Sequence, residues 1–270
     1  GRSRAVEASP DQIIITAGAQ QGIDLVTRLV VTPGRIVAVE DPGYPPAAGL
    51  LAASGAQIAP VPVDSKGIVV DQIPVDSSMV YTTPSHQSPT RVTMSMARRR
   101  ELLHFADDHN VAIIEDDYDS EYRHSDRPLE PLHRLDTQGR VIYVGTFSKT
   151  LSPSLRLGFV ALPHSLVSHA IALRSLIDWQ PPVTVQETLL PFIVDGQLDR
   201  HLRRTRKVYT ERHQMVTDLV HEGAEAGLLV SPSPSHAGLH ITPLLPTGTD
   251  EVAVVARVRA NGAALGNHVQ

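Results

Sequence analysis

The chain has 270 residues, of which 24 are Lys or Arg and 29 are Asp or Glu, and its formal net charge of −5 excludes the basic surface typical of a nucleic-acid-binding domain. It contains no Cys, which excludes disulfides and thiolate chemistry and is typical of a cytoplasmic protein. Because no apolar run approaches the length of a membrane span and no His or Cys cluster has metal-ligand spacing, we expect neither a membrane partner nor a metal, and we expect most of the 13 His at the surface.

Along the first 160 residues, short β-branched runs alternate with helical stretches. The apolar spacing of Ile23, Val26 and Leu29, for example, is that of a helix. Strands are predicted at 12–18, 35–44, 57–64, 79–86, 111–118 and 140–149, and helices at 19–30, 46–55 and 95–110. Because strands that are separated by helices need crossover connections, the pattern predicts an α/β fold with a mainly parallel sheet.

After residue 163 the pattern changes to long helical stretches, which occupy most of 164–222. Residues 228–246 then indicate strands of a second unit, and 250–262 predict one more helix. We therefore predict a large domain at 1–163 and a helical segment at 164–222 that completes this domain and links it onward. Residues 223–270 are predicted to form part of a smaller, truncated C-terminal α+β domain.

Candidate functional residues follow five of the predicted strands. They are Gly18, Tyr44, and residues 85–88, 116–118 and 146–149. Because functional groups gather at the carboxyl ends of parallel strands, we expect these residues to meet at one edge of the sheet.

Lysine is rare in this chain, where only Lys66, Lys149 and Lys207 accompany the arginines. Arginine serves equally well as a surface charge, but it cannot lose a proton and become a nucleophilic amine. Lys149 lies among small hydroxyl residues after a predicted strand, which is typical of a reactive lysine. A solvated lysine in a turn is the alternative interpretation.

The chain also offers a candidate for each remaining part of a site for lysine-bound pyridoxal phosphate. Asp116 could pair with the ring nitrogen, Tyr118 could donate to the ring hydroxyl and Tyr44 could stack on the ring. The phosphate could be held at the start of a helix and by side chains on two loops, from Gly18, Ala19, Gln20, Thr146, Ser148 and Arg156.

Taken singly, each of these residues also has an ordinary structural interpretation. Asp116 could be a helix cap or a solvated carboxylate, and Gly18 could be only a turn glycine. Tyr44 could be a packing residue, and Arg156 could pair with any surface acid. The set is informative because its members occur together and at strand ends.

Four segments carry a family resemblance: "EDPGYP", "TPSHQ", "EDDYDSEYR" and "GTFSKTLSPSLRLG". They resemble fold-type I aminotransferases of class I/II. Within that group, their residues are most similar to those of the aminotransferase-like domain of MocR-type GntR transcriptional regulators. The resemblance covers roughly residues 5–262.

The resemblance implies a pyridoxal 5'-phosphate cofactor, a seven-stranded large domain with a smaller second domain, and a head-to-tail homodimer. It implies that Lys149 bonds covalently to the cofactor, that Asp116 binds the pyridine nitrogen and that Tyr118 binds the ring oxygen. Tyr44 would stack on the ring. The cofactor-binding set also includes Gly18, Ala19, Gln20, Ser88, Thr146 and Arg156. We expect Lys149 at the floor of a cleft, facing Asp116.

The chain departs from the family pattern at several points. Ser88 stands where aminotransferases usually carry Asn, and Arg91 stands where a Gly normally follows, which strains a turn that needs positive φ. The N-terminal arm, the winged-helix domain of the regulators and the C-terminal arginine that clamps the substrate's α-carboxylate are expected outside this sequence. We therefore expect a fragment with weak cofactor retention and low solubility.

Three functions remain open at this point. The domain could sense a small amine or amino acid for a regulator that binds DNA through a separate winged-helix domain. It could be a free aminotransferase that moves an amino group between an amino acid and a 2-oxo acid. It could also be an inactive fragment.

Overall fold

The computed structural model describes residues 6–122, 130–230 and 238–262. The strands are β1 (Ile13–Thr16), β2 (Ile36–Asp41), β3 (Gln57–Asp64), β4 (Gly67–Ile68), β5 (Met79–Thr82), β6 (Ala112–Asp117), β7 (Val141–Thr146) and β8 (Gly158–Ala161). The helices are α1 (Ala19–Val30), α2 (Pro45–Ala53), α3 (Met96–His109), α4 (Leu132–Leu135), α5 (His164–Ile177), α6 (Val183–Val194), α7 (Gln197–Glu225) and α8 (Glu251–Ala260). Each strand and helix that the sequence predicts before residue 163 is found within a few residues of its expected bounds.

Within the described residues the strands form one sheet in the order β1-β8-β7-β6-β5-β2-β3-β4. Strands β3, β2, β5, β6 and β7 are parallel, whereas β8 is antiparallel to both of its neighbours, β7 and β1. The predicted α/β fold with a mainly parallel sheet is confirmed. The sheet has one strand more than the resemblance implied, because the two-residue β4 pairs with the end of β3 in a hairpin.

Strand β8 is one of three elements that the sequence analysis did not assign, the others being the two-residue β4 and the four-residue α4. Its four residues, Gly158–Ala161, are too short to show a period. Because β8 lies antiparallel between β1 and β7, these two strands run in the same direction. The carboxyl ends of β1, β2, β5, β6 and β7 therefore meet at one edge, as expected, and the amino end of β8 joins them there.

Helices cover both faces of the sheet. One face packs against α1, α2 and α5, through buried residues such as Ile23, Leu51 and Ala170. The other face packs mainly against α3 and α4, for example through Leu102 and Leu132. Residues in each strand alternate between the two faces, so the polar residues at the strand ends also divide between them.

Helix α1 lies unusually close to the sheet. A Cβ atom added to Gly22 would lie 2.8 Å from Cγ1 of Val160 in β8, so only glycine permits this approach. The contact holds the first turn of α1 directly against the edge where the strands end.

Helices α6 and α7 contribute little to the main core, whereas α5 packs on it through Ala170. Helix α7 has 29 residues and is about 44 Å long. Apolar side chains on α5, α6 and α7, including Leu176, Leu190 and Leu219, are exposed. Among the described residues, no helix combines the length and the apolar character that crossing a membrane requires.

The predicted second unit is described only in part. Val230 and Leu244 form an isolated antiparallel bridge, and α8 occupies the expected range. The predicted strand segment at 228–246 includes residues 231–237, which lie outside the described residues, as do 263–270. The division of the chain at residues 163 and 222 stays a prediction.

Glu115 is a buried carboxylate in β6 that ties α4 to the sheet. It accepts hydrogen bonds from the backbone N–H groups of Leu132 (2.9 Å) and His133 (2.8 Å), and Nη1 of the buried Arg99 lies 3.7 Å away. Burial raises the pKa of Glu115 to about 7, although Arg99 opposes this shift.

This pKa predicts a pH-dependent stability. The folded chain binds the proton of Glu115 more tightly than the unfolded chain does. The contribution of Glu115 to the free energy of unfolding is therefore complete below about pH 4.5 and is lost as the pH rises to about 7. The loss amounts to about 3 kcal/mol. Urea unfolding between pH 5 and 7.5 should show a smaller decline of the unfolding free energy with pH in Glu115→Gln than in the parent. The exposed Glu101→Gln should keep the parent's decline, and an unchanged decline in Glu115→Gln would contradict the assignment.

Candidate functional site

The start of α1 and the side chain of Arg156 form a cradle for an anion. Gly18 caps the helix with φ +86°, and no side chain caps this end. A Cβ atom at Gly18 would lie 3.2 Å from Nη2 of Arg156, so the guanidinium packs against the glycine. Arg156 Nη2 also donates to the carbonyl of Ala17 at 3.0 Å. A helix N-terminus and a guanidinium next to one another favour the binding of a phosphate group.

The cradle exists because three backbone segments approach closely at Gly158. This residue pairs with Thr16 of β1 on one side and with Thr146 of β7 on the other. A Cβ atom at Gly158 would lie 2.7 Å from the carbonyl oxygen of Gly145 and 2.9 Å from the carbonyl carbon of Gly18. The loop before β8 therefore places Arg156 over the start of α1.

Hydroxyl groups line the loop that follows β7. Thr146 Oγ1 donates to Ser148 Oγ at 3.0 Å and accepts from the backbone N–H of Ser148 at 3.1 Å. Lys149 lies on the next turn and is exposed. The structure thus places Lys149 at the expected edge, but with an exposed side chain and not at the floor of an enclosed cleft.

Asp116 is buried at the end of β6, on the same face of the sheet as α1. Its Oδ2 atom accepts a hydrogen bond from the hydroxyl of Tyr81 at 2.6 Å. The pKa of Tyr44 is raised by burial and by the charge of Asp116, while Arg156 opposes this shift. Tyr44, which is 37% exposed, therefore lies near both charges.

This geometry decides between several of the open interpretations. Asp116 is neither a helix cap nor a solvated carboxylate, because it is buried within a strand. Gly18 is more than a turn glycine, because it accommodates the guanidinium of Arg156. Among the residues that the structure describes, Arg156 forms no ion pair with a surface acid.

Gln20 lies in the first turn of α1, and its side chain connects two helices. Its side-chain amide donates to the carbonyl of Pro46 at 3.0 Å and thereby links the first turns of α1 and α2. Only the backbone N–H groups of Ala19 and Gln20, which the helix leaves without intrahelical acceptors, are available to an anion.

Glu40 is a buried carboxylate that the sequence analysis missed. It accepts hydrogen bonds from the hydroxyls of Thr82 and Thr83 and from the backbone N–H of Thr83, and burial raises its pKa. Gln87 donates to Glu40 at 3.2 Å and to the carbonyl of Pro42 at 2.7 Å. Glu40 therefore joins the end of β2 to the loop that follows β5.

Gln87 organises the loop that contains Ser88 and Arg91. Its amide oxygen accepts from the backbone N–H of Thr90 at 2.8 Å, and its carbonyl accepts from the N–H of Arg91 at 2.7 Å. The N–H of Ser88 donates to Thr83 Oγ1 at 3.1 Å. Arg91 has φ +70°, so the prediction that a non-glycine residue occupies a left-handed turn is confirmed.

Tyr118 lies beside a cluster of buried groups at the same edge. Its hydroxyl donates to the carbonyl of His86 at 2.8 Å and lies 3.1 Å from His86 Nδ1. Burial, followed by the charges of Asp119 and Asp116, raises its pKa. His86 Nδ1 lies 3.0 Å from Asp119 Oδ2, and the ring of His240 is 4.7 Å from the ring of His86.

The sequence analysis missed this histidine cluster. His86 is 1% exposed, so the expectation of surface histidines is wrong for it. Donor atoms of His86, Asp119 and His240 lie within 4.8 Å of one another, although these residues are far apart in the chain. The signal that pointed to this region was the position of His86 after a predicted strand, but nothing in the sequence joined it to His240.

Comparisons with known proteins agree with this geometry. A family model described as aminotransferase class I and II matches residues 1–245. The chain is 40% identical over 218 residues to a Rhizobium meliloti protein named "Probable rhizopine catabolism regulatory protein MocR", a match that covers 80% of the chain and 44% of that protein. It is 31% identical to aromatic-amino-acid aminotransferase 1 of Thermococcus litoralis over 96% of the chain and 64% of that enzyme.

Among solved structures, the kynurenine aminotransferase of Pyrococcus horikoshii superposes with a TM-score of 0.83 and 31% identity. The match covers 94% of this chain and 65% of that one. The resemblance that the motifs carry is therefore confirmed. The chain spans about half the length of the regulators that it matches.

The contact between Gly18 and Arg156 can be tested with a matched pair of variants. Gly18 and Gly34 have similar φ values of +86° and +84°, but a Cβ atom at Gly34 would meet nothing within 4 Å. Both Gly18→Ala and Gly34→Ala should lose about 1–3 kcal/mol of unfolding free energy through backbone strain. Only Gly18→Ala should also lose the rise in melting temperature that inorganic phosphate gives the parent, because its Cβ displaces the guanidinium. An equal phosphate response in the two variants would refute the cradle.

Proposed function

The chain belongs to the class I and II aminotransferase family, and we propose that it is the pyridoxal-phosphate-binding, ligand-sensing domain of a MocR/GntR-type transcriptional regulator. Pyridoxal 5'-phosphate is the cofactor that membership of this family implies. The similarity to regulators over most of the chain supports the sensing role.

One observation supports cofactor binding most directly: a buried carboxylate, an aromatic ring and an anion cradle meet at one edge of the sheet. Asp116 and Arg156 both influence the pKa of Tyr44, so both charges lie near this ring. The donor chemistry fits the cofactor, because a pyridine nitrogen needs a carboxylate and a phosphate needs N–H groups and a guanidinium.

The carboxylate and the cradle would hold opposite ends of the cofactor. When bound, the protonated pyridine ring withdraws electrons from groups attached to its aldehyde carbon. Asp116 would keep the ring nitrogen protonated, and Tyr81 would orient Asp116 through its 2.6 Å hydrogen bond. The first turn of α1, at Ala19 and Gln20, would bind the phosphate together with Arg156.

The remaining site residues would orient and bond the ring. Lys149 would supply the primary amine that bonds covalently to the aldehyde, and the hydroxyls of Thr146 and Ser148 beside it would contact the phosphate. Tyr44 would stack on the ring. Tyr118 would bind the ring oxygen through the hydroxyl that now contacts His86, and Ser88 lies on the loop beside it.

We further propose that the ligand is a small amine or amino acid and that the chain forms a head-to-tail homodimer. The exposed apolar side chains of α5, α6 and α7 provide surface that an assembly could cover. DNA contact would be the task of a separate winged-helix domain, because this chain has a net charge of −5.

A free aminotransferase is the second candidate function. It is favoured by the 31% identity to an aromatic-amino-acid aminotransferase over 96% of the chain. Both candidates need the same cofactor site, so turnover distinguishes them better than binding does.

The lysine assignment predicts a spectroscopic result. Addition of pyridoxal 5'-phosphate to the parent should produce a new absorbance band near the visible edge, because the Lys149 amine bonds to the aldehyde. Lys149→Ala should abolish the band, whereas Lys66→Ala, which removes an exposed lysine elsewhere, should keep it. If the band persists in Lys149→Ala, another amine is responsible and the assignment fails.

The sensing role predicts slow or absent turnover. With a series of amino acids and 2-oxoglutarate, the cofactor-loaded chain should change its absorbance on ligand binding without sustained formation of a new 2-oxo acid. Rapid, sustained transamination, measured by product accumulation, would favour the free aminotransferase instead.

A further inference from the structure

Several buried nitrogen atoms near the candidate site have no hydrogen-bond partner among the described residues. They are Nε and Nη1 of Arg91, Nε2 of His86 and Nε2 of His240. Leaving such groups unpaired away from water is costly, particularly for a charged guanidinium. A buried guanidinium without an acceptor therefore points to a bound acceptor.

Arg91 is the most unusual of these residues. It is 5% exposed, and it forms no ion pair with any of the described residues. Its backbone also occupies the left-handed region at φ +70°, which favours glycine. The chain thus accepts both backbone strain and a buried charge at one position.

The surroundings of Arg91 connect it to the candidate site. Burial, followed by His86 and then Arg91, lowers the pKa of His240 to about 4, while Asp119 and a hydrogen bond to the carbonyl of Pro89 oppose this shift. The rings of His240 and His86 are 4.7 Å apart, and Nδ1 of His86 lies 3.1 Å from the Tyr118 hydroxyl. Arg91 and the two histidines therefore lie near Tyr118, the residue that would bind the cofactor ring oxygen.

The guanidinium of Arg91 favours an anion over a metal cation. Asp119 is the carboxylate nearest the two histidines, and it already contacts His86 Nδ1 and accepts from the N–H of Leu239 at 3.3 Å. A divalent cation here would also be repelled by the Arg91 guanidinium. A carboxylate would be attracted to the guanidinium and would accept hydrogen bonds from it in a bidentate arrangement.

We propose that Arg91 binds a carboxylate group of the ligand sensed by this domain. The inference rests on the proposed function and narrows its ligand class. Amino acids satisfy the buried guanidinium, whereas simple amines leave it unpaired and therefore bind weakly. Arg91 is thus a specificity-determining residue.

The test uses the cofactor-loaded chain and three amines of similar size. L-Alanine carries an α-carboxylate, 3-aminopropanoate carries its carboxylate one carbon further away, and ethylamine carries none. In the parent, absorbance titration should show that at least one of the two amino acids binds about 10- to 100-fold more tightly than ethylamine, as expected for a charge-assisted pair. Which amino acid binds better identifies the position of the carboxylate.

Arg91→Gln should abolish this preference by weakening amino-acid binding while leaving ethylamine affinity unchanged. Arg91→Lys, which keeps the charge but not the bidentate fork, should restore part of it. Equal binding of all three amines by the parent, or an unchanged preference in Arg91→Gln, would overturn the proposal.

A second readout separates ligand binding from a structural role of Arg91. Arg91→Gly removes a buried charge and a strained backbone, so the cofactor-free chain should melt at a higher temperature than the parent. Asn110→Gly relieves a left-handed residue (φ 55°) at the opposite edge of the sheet, and should leave ligand preference intact. A lower melting temperature of Arg91→Gly would assign Arg91 to the core and overturn the proposal.

The cofactor-free chain also separates this proposal from the proposed function. Succinate, but not the uncharged succinamide, should raise the melting temperature of the parent, and this effect should be lost in Arg91→Gln. If no cofactor band forms but the succinate effect is present, the proposed function fails and the anion site stands. If the band forms and succinate acts equally on the parent and on Arg91→Gln, the anion site fails alone.

Discussion

The close approach of three backbone segments at Gly158 is the contact on which the candidate site depends. Because Gly158 has no side chain, β8 can lie between β1 and β7 with its backbone against Gly145 and Gly18. This arrangement brings Arg156, from the loop before β8, to the start of α1. It also makes β1 parallel to β7, so that their ends share one edge. A larger residue at position 158 would separate all of these groups.

Buried charges at this edge fall into two classes. Glu40 and Asp116 accept hydrogen bonds from neighbouring side chains, and they hold loops and strands in place. Arg91 lacks hydrogen-bond partners for two of its nitrogens among the described residues. These carboxylates contribute to a rigid framework, while the unpaired guanidinium nitrogens of Arg91 indicate where a ligand would lie. Stability and recognition thus involve different residues within the same few loops.

Much of the fold could be predicted because its signals are local. The spacing of apolar residues in α1 indicates a helix, and the β-branched run of β6 indicates a strand. The alternation of strands with helices along the chain implies a parallel sheet. The left-handed position of Arg91 followed from a motif that normally carries Gly. Strand β8 was missed because four residues show no period. The exposure of Lys149 was not foreseen, because motif spacing does not report how a loop is covered.

The sequence by itself determined the succession of strands and helices along the chain, the family, and the residues at five strand ends. Periodicity and motifs are properties of neighbouring residues, so they can be read without the tertiary structure. Only the tertiary structure decided which of these residues meet. Glu40 with Gln87, Gly18 with Arg156, and His86 with His240 are pairs separated by 47, 138 and 154 positions, respectively. Their contacts arise from strand order and from the reversed direction of β8. No local pattern encodes those contacts, because long-range packing selects among many pairings that the same chain segments would allow.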